Sequence, residues 1–442
     1  MKHSRVAITA LAVSGLLAAS ACSGEPAASD APPATVAWHK TEGGAWSPAA
    51  VTVKTSDLEC GAKAPDPKRG VTPTSIKIAG LGTMSGPTVS IFSDAEAGAR
   101  ARFARANAEG GVHGRRIEFT GMQDDGLDPT RQVDVARRLI ADGAFAAAPV
   151  MTQIPNFKQT FCDGVMPHFG WGFNSAWCGS GIAFPVTGCI VGPKSDYLSI
   201  GAGAVDDLVN GRPKTIALLG NEEEAAQLGN VVLKEGFQSS GYQVVYAENP
   251  LSGRSPIADA SPLVNAIMTS ADGGPPTFVY LVADFANTNT MVQALRAGGF
   301  EGTILSALGY DPRLASAQQF QGLYTTLQWA PFEAADNPFV AQMAKDFDRY
   351  EPATSKGLPA AGGYISADML VAALDAAGPD LTVDSFISTL NHDWVYSTPG
   401  FRGEARFPAN HVIAVPCGTI VVLHDQRFEQ TSPLACTDPI RR

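Results

Sequence analysis

The sequence predicts an α/β protein with two doubly wound lobes, each built on a mostly parallel sheet. Two observations carry this prediction. Strand-like and helix-like segments alternate from about residue 72 onward, and the alternation starts again after about residue 195. Helical connections between parallel strands place helices on the faces of such sheets. The chain has 442 residues, 45% of them hydrophobic, so it can build two or three cores.

The first half contains predicted strands joined by predicted helices. A helix over 93–111 begins at the cap residues Ser93 and Asp94 and ends at a glycine pair. A helix over 128–143 begins at Asp128, with a proline in its first turn. Four strands are predicted at 76–82, 116–123, 145–150 and 166–173, and a further short helix at 154–164.

The second half repeats the alternation. Its helices are predicted at 195–210, 222–241, 257–270 and 287–299, and its strands at 215–220, 242–248, 277–284 and 303–308. A strand-like run over 323–332, helices over 337–350 and 362–377, and short strands from residue 401 complete the chain. Two such lobes leave a cleft, and ligands of these sheets bind beyond the carboxyl ends of the strands.

The N-terminus predicts an exported, lipid-anchored protein. Residues 1–21 combine a basic MKHSR with the short apolar run VAITALAVSGLLAA, which together indicate a signal peptide. The run is too short to span a membrane comfortably. Small residues ahead of Cys22 resemble a lipobox, so Cys22 is the predicted lipidation site, and an ordinary secretory signal is the alternative. Residues 22–50, rich in Ala, Pro and Ser, predict a flexible tether.

The cysteines agree with export, because six remain beyond Cys22 and an even number outside the cytoplasm indicates disulfides. Six cysteines allow fifteen pairings. Short separations favour Cys178–Cys189 and Cys417–Cys436, which leaves Cys60–Cys162.

Several function classes find no support in the sequence. The net charge of −11 argues against a nucleic-acid partner. The histidines are scattered without a ligand pattern, so no metal is predicted. In KIAGLGTMSGP, Ser85 stands where a G-x-G-x-x-G fingerprint has its third glycine, and the next helix begins only at Ser93. No nucleotide cofactor is therefore predicted. No G-x-S-x-G or S-x-x-K motif occurs, and we predict no enzymatic activity.

Three stretches carry a family resemblance. GVTPTSIKIAGLGTMSGP resembles the opening strand and loop of type I periplasmic binding proteins, and GGYISADMLVAALDAAG resembles a late helix of the same proteins. ANAEGGVHGRRIEFTGMQDDGLDPTRQVDVARRLI matches the corresponding family stretch almost residue for residue. From about residue 70 to 430 the chain therefore resembles the leucine/isoleucine/valine-binding family of ABC-transporter substrate-binding lipoproteins.

The resemblance implies two lobes that are joined by three crossovers and close over one small ligand. The crossovers are expected near 193–196, 321–326 and 400–408. Lobe 1 then comprises 72–194 and 326–400, and lobe 2 comprises 195–325 and 408–440.

The resemblance also implies a ligand site in lobe 1. The turn containing Met84 and Ser85 matches the place where the family's first strand faces the ligand. The loop Val150–Met151–Thr152 matches the place where amino-acid binders put hydroxyls around the ligand carboxylate, and here only Thr152 keeps one. The next strand end carries Trp171, Phe173 and Asn174 where the family normally has Ala and Thr.

Lobe 2 is expected to supply the remaining ligand contacts. Asp311, which follows Tyr310, matches the acid that binds the ligand ammonium. Asp284 and Phe285 lie at another strand end. The aromatic residue that the family has near 220–228 is absent, and Glu222 is the candidate there, although acids at a helix start also favour the helix dipole.

The lost hydroxyls and the added Met, Trp and Phe residues favour a more apolar or aromatic ligand than an ordinary α-amino acid, although buried aromatics often serve packing alone. The predicted function is capture of a small molecule and its delivery to an ABC permease, outside the cytoplasm and on a lipid anchor. The alternatives are a receptor domain that signals to a membrane partner and an exported hydrolase.

Overall fold

The computed structural model describes residues 53–86, 92–191, 197–198, 205–415, 417–436 and 440–441. The predicted signal peptide, Cys22 and most of the predicted tether lie outside these residues, and so does the turn after Gly86. None of the helices in the described part is long and apolar enough to span a membrane.

The first sheet has five parallel strands in the order β2-β1-β3-β4-β5. Its strands are β1 (Ser75–Gly82), β2 (Arg116–Asp124), β3 (Ala146–Met151), β4 (His168–Gly170) and β5 (Ala183–Pro185). The helices between them are α1 (Ala95–Ala108), α2 (Pro129–Ala141) and α3 (Lys158–Asp163). Every residue of β3 is buried, as expected for a strand covered on both faces.

The second sheet has eight strands, of which the first five are parallel and the later ones antiparallel. Its parallel strands are β7 (Thr215–Asn221), β8 (Gln243–Leu251), β9 (Phe278–Val282), β10 (Thr303–Ser306) and β11 (Leu323–Leu327). Its antiparallel strands are β14 (Cys417–His424), β15 (Arg427–Gln430) and β16 (Ala435–Cys436). The helices are α4 (Glu224–Ser239), α5 (Ser261–Met268) and α6 (Phe285–Ala297).

The chain returns to the first sheet after β11. Helices α7 (Pro338–Tyr350), α8 (Leu358–Ala377) and α9 (Val383–Leu390) follow, and α8 packs on α1, β3 and β4. The α1–α8 contact is close because glycines lie in it. A Cβ atom at Gly363 would come within 1.9 Å of the Ala95 carbonyl oxygen, and one at Gly98 within 2.1 Å of the Ala360 carbonyl oxygen.

Two small pairs of strands complete the fold. Strands β12 (Trp394–Tyr396) and β13 (Ala405–Phe407) form a hairpin, and β6 (Tyr197–Leu198) pairs with β17 (Ile440–Arg441). A helix over 195–210 was the expectation for that part of the chain, so the strand at 197–198 corrects its beginning.

The α/β fold class with mostly parallel sheets is confirmed, although β4 is shorter than its predicted span and β5, α9 and β12 were not predicted. The proposed lobe bounds are compatible with the sheets but stay a prediction.

Three disulfides join Cys60 to Cys162, Cys178 to Cys189 and Cys417 to Cys436, which are the pairs favoured by the sequence. The first fastens the N-terminal segment, residues 53–70, to α3. In the same segment the Arg69 guanidinium donates to three backbone carbonyls, those of Ala144, Gly164 and Val165, at 2.6–2.9 Å. The N-terminal segment is therefore attached to the first sheet.

Candidate functional site

A cavity of about 160 Å³ lies between the two sheets. Its walls come from residues at or just beyond the carboxyl ends of β3, β4, β9, β10 and β11, together with the first turns of α4. This is where parallel sheets place their ligands. The volume accommodates roughly ten water-sized groups, which suits a small molecule.

One wall of the cavity is aromatic. The ring centroid of Trp171 lies 4.9 Å from that of Phe173 and 5.3 Å from that of Trp329. Phe92 adds a ring 5.5 Å from Phe173. Trp171, Phe173 and Phe92 line the cavity directly. Much of the remaining lining is aliphatic, with small side chains of α4 such as Ala225 and Ala226.

A few polar groups interrupt the apolar lining. The indole N–H of Trp171 donates to the Gln328 amide oxygen at 2.5 Å. The hydroxyls of Tyr280 and Thr326 share a hydrogen bond, and burial raises the pKa of Tyr280 to about 12. Gln153 is 7% exposed and lines the cavity, and no hydrogen bond to its amide is present among the described residues. These groups are all neutral at physiological pH.

Asp284 is the one acidic side chain among the described lining residues. It caps α6 by accepting the backbone N–H of Asn287 at 3.0 Å. Its other oxygen accepts from the side-chain amides of Asn221 at 2.8 Å and Asn287 at 2.6 Å. Donors and the N-terminal dipole of α6 thus balance its charge.

The structure therefore brings three of the predicted ligand residues, Trp171, Phe173 and Asp284, to one cavity. The other predicted ligand residues do not line it in this conformation, and their roles stay predictions.

Thr152 is engaged in a buried network. Its hydroxyl donates to Asp125 at 2.5 Å and accepts from the Gln132 amide at 2.7 Å. Thr83 donates to the other Asp125 oxygen at 2.8 Å. Asn174, also buried, donates to the Thr152 carbonyl at 2.8 Å and caps the 3₁₀ turn Ser175–Trp177. Neither side chain has a group directed to the cavity.

The turn at Met84 and Ser85 is held by Asp124. The backbone N–H groups of Met84 and Ser85 donate to Asp124 at 2.8 and 3.1 Å, and the Ser85 hydroxyl donates to it as well. Burial opposes ionisation of Asp124, but these hydrogen bonds outweigh it and lower its pKa. Val150 and Met151 are fully buried in β3. Met151 packs against α8, at Gly362.

The remaining predicted residues lie on the second-sheet side. Glu222 is exposed at the end of β7, and the ring of Phe285 stacks on Phe320. Tyr310 is buried and donates its hydroxyl to Glu333 at 2.7 Å. Burial and the Glu333 carboxylate raise the pKa of Tyr310. The Arg313 Nε donates to both oxygens of Asp311 at 2.9 Å, so a cation of the protein already pairs with this carboxylate.

Direct contacts cross from one sheet's helices and loops to the other's. The Glu224 carboxylate in α4 accepts from the Ser175 hydroxyl at 2.7 Å and from its backbone N–H at 3.3 Å. Arg254 donates to the Leu127 carbonyl at 3.1 Å, and Arg313 pairs with Asp94 at 3.2 Å. The two halves are therefore in contact around the cavity.

Sequence reasoning missed Phe92, Gln153, Tyr280, Thr326 and Gln328. Gln153 follows Thr152 directly at the end of β3, so its position beyond a strand end was the available signal. Thr326 falls where a crossover was expected, Gln328 lies in the strand-like run that follows it, and Tyr280 lies within a strand. No cluster of residues able to hold a metal ion occurs among the described residues.

Comparison with known proteins identifies relatives of this architecture. The family described as periplasmic binding protein matches residues 75–427. A Leu/Ile/Val-binding protein from Escherichia coli (strain K12) is 37% identical over 68 residues, which is 15% of this chain. The match spans 18% of the length of that curated relative.

Solved structures share the fold at low sequence identity. A fatty acid ABC transporter substrate-binding protein from Thermomonospora curvata is 19% identical, with a TM-score of 0.71 over 84% of this chain and 96% of that one. An ABC transporter solute-binding protein from R. palustris in complex with 4-hydroxybenzoate is 16% identical, with a TM-score of 0.65 over 83% of this chain and 96% of that one.

Proposed function

Since this chain belongs to the periplasmic binding protein family, we propose that it captures one small molecule between its two lobes and delivers that molecule to an ABC importer. A member of this family is a binding protein rather than an enzyme, and membership implies a location outside the cytoplasm. The observation that carries the proposal is the cavity, which is walled by strand ends of both sheets.

We also propose the finer features that the sequence predicts. Lobe 1 comprises 72–194 and 326–400, and lobe 2 comprises 195–325 and 408–440. The strands of the first sheet, within 75–185, and those of the second, within 215–327 and 417–436, support this division. A lipid on Cys22 holds the protein at the membrane beside a permease, a proposal that the sequence alone supports.

An apolar ligand suits the proposed site. The aromatic wall of Phe92, Trp171 and Phe173 offers large apolar faces, and burying them against a ligand is favourable. One structural neighbour is named as a fatty acid ABC transporter substrate-binding protein, and another is in complex with 4-hydroxybenzoate. Both names refer to molecules with a large apolar part, so they support this proposal. The contacts across the cleft provide the means of closing over such a molecule.

The experiment combines a thermal-shift screen with a distance measurement. The screen covers amino acids, amides, aromatic acids and terpenoid fragments, because a ligand specific to the folded form raises the melting midpoint. Spin labels at Asp134→Cys in α2 and Gln227→Cys in α4, both exposed positions, report the separation of the two halves.

We expect a hit to raise the melting midpoint and to shift the distribution of label-to-label distances toward shorter values. Trp171→Ala should abolish both the rise in midpoint and the shift in distance. Uptake of the labelled hit should then require this protein. A hit that binds while the distance distribution stays unchanged, or that binds Trp171→Ala equally well, would contradict capture between the lobes.

A further inference from the structure

The described lining of the cavity contains no cationic side chain. Neither lysine, arginine nor histidine occurs among the lining residues that the structure describes. The two groups that could ionise are Tyr280, which burial keeps protonated, and Asp284. A ligand carboxylate in this cavity would therefore lose its hydration without gaining a cationic partner, and such a loss is costly.

Asp284 offers little to a ligand cation. Its two oxygens already accept three hydrogen bonds, from the Asn287 N–H and from the amides of Asn221 and Asn287. It also lies at the N-terminal end of α6, whose dipole favours a negative charge. A ligand ammonium would have to displace these donors before it could pair with the carboxylate.

Neutral groups, in contrast, are free in the cavity. The Gln153 amide has both its donor and its acceptor open among the described residues. Gln328 uses its oxygen for the Trp171 indole, which leaves its NH₂ group as a donor. A carbonyl, amide or hydroxyl on a ligand can therefore find a partner, and a buried neutral polar group needs one.

We propose that the cavity selects an uncharged, largely apolar molecule with one or two hydrogen-bonding groups, which face Gln153 and Gln328. This inference rests on the proposed function. It disfavours free amino acids, since the Thr152 hydroxyl is bonded to Asp125 and Gln132 and Asp311 is paired with Arg313.

The test uses probes that share one apolar body and differ in charge. Benzamide and benzyl alcohol are compared with benzoate and benzylamine, and hexanamide with hexanoate and hexylamine. These probes have about nine non-hydrogen atoms, which suits a cavity for roughly ten water-sized groups. By calorimetry at pH 7 we expect the neutral members to bind tighter than their charged partners by about tenfold or more.

A gain-of-function variant tests the same idea from the protein side. Gln153→Arg places a cation in the cavity, so it should reverse the preference and bind benzoate better than benzamide. Gln293→Arg adds the same charge on the exposed surface of α6 and should leave the preference for benzamide intact.

The outcomes separate this inference from the proposed function. The unmodified protein could bind benzoate, hexanoate or either amine at least as tightly as the neutral partner. That result would overturn the selectivity for uncharged molecules, but capture between the lobes would still stand. The selectivity for uncharged molecules is also overturned if no neutral probe binds and the screen yields a charged ligand. Failure of all compounds in both experiments counts against the cavity as a ligand site.

Discussion

The hydroxyl of Thr152 belongs to a network of four buried side chains. Thr83, Gln132 and Thr152 all bond to the carboxylate of Asp125, which is fully buried. A buried carboxylate without its donors would be strongly destabilising. The network therefore holds together the ends of β1, β2 and β3, from which the cavity wall continues.

Replacing Thr152 by valine should lower stability without weakening ligand binding. The substitution removes one of the two donors to the Asp125 Oδ2 atom, the other being the Gln132 amide, and it also removes the hydroxyl that accepts from that amide. We expect the free energy of unfolding to fall by about 1–3 kcal/mol. Urea denaturation measures the stability and calorimetry the affinity for the screening hit. Thr74→Val, at an exposed position, is the matched control and should change stability by less than about 0.5 kcal/mol. A large loss of ligand affinity with an unchanged free energy of unfolding would instead show that Thr152 binds the ligand.

Single residues also mark the limit of what the sequence could predict about the site. Trp171 and Phe173, predicted from their place beyond a strand end, do line the cavity, although their contact with a ligand stays a prediction. Asp311 occupies a similar place, yet Arg313 two residues later takes both of its oxygens. Which partner satisfies a polar group depends on contacts that spacing in the sequence does not reveal.

At the scale of elements, long helices with a clear cap residue were predicted, whereas very short strands were missed. Asp128 caps α2 with its side chain, as its position before a proline predicts, and Asp284 caps α6. Strand β5 has three residues, too few for an alternating pattern to be recognised. Strand β12 also has three residues, and within the described part of the chain it pairs with β13, which begins nine residues further along.

The contact between the 3₁₀ turn Ser175–Trp177 and the start of α4 is a candidate latch for the closed form. Glu224→Ala removes an acceptor of two hydrogen bonds across the cleft. We expect the dissociation constant of the screening hit to rise about tenfold to thirtyfold, since each of the two bonds contributes on the order of 1 kcal/mol. The free energy of unfolding should change little.

Stopped-flow tryptophan fluorescence, to which Trp171 in the cavity wall contributes, would assign that effect to closure. Loss of the latch should raise the dissociation rate more than it lowers the association rate. Glu118→Ala, an exposed glutamate of β2, serves as the control and should leave both rates unchanged. Equal affinity of Glu224→Ala and the parent protein would show that the contact does not stabilise the liganded form.

At the scale of the whole molecule, two fully buried histidines connect stability to pH. Burial lowers the pKa of His168 from 6.5 to about 4 and that of His411 to about 3. One ring nitrogen of each makes a hydrogen bond, to the Met166 carbonyl and the Asn391 amide oxygen. The Nε2 atom of His168 is buried without a partner among the described residues.

The folded protein should therefore lose stability as the pH falls below about 6.5. In that range the unfolded chain binds a proton at each histidine while the folded chain does not, so acidification favours unfolding. For His168 the loss is complete near pH 4 and amounts to about 3 kcal/mol. Urea denaturation between pH 7.5 and 4.5 measures it.

Variants separate the histidines from the carboxylates that also titrate. His168→Phe should flatten the dependence of the unfolding free energy on pH between 6.5 and 4.5, whatever its effect on absolute stability. The control variant is His392→Gln, which removes an exposed histidine, and its slope is compared with that of His168→Phe. An unchanged slope in His168→Phe would mean that His168 is not held neutral by the fold.

The architecture was more accessible from the sequence than the site. Alternation of strands and helices predicted two parallel sheets, and the match at 75–427 agrees with the family that the sequence motifs resemble. The cavity could not be predicted from the sequence, because Gln153 and Tyr280 come from different sheets and line it together through the approach of the two halves. No local pattern carries that information.

The fastening of the N-terminal segment has a mechanical consequence. A pull on the chain ahead of residue 53 is transmitted through Cys60–Cys162 and the three Arg69 hydrogen bonds into the region of α3 and β3. The segment has further contacts at Asp384 and Val383, again on the first-sheet side. Load from any attachment at that end is thus borne by one half of the molecule. The other half, with α4 and α6, takes no part in these contacts.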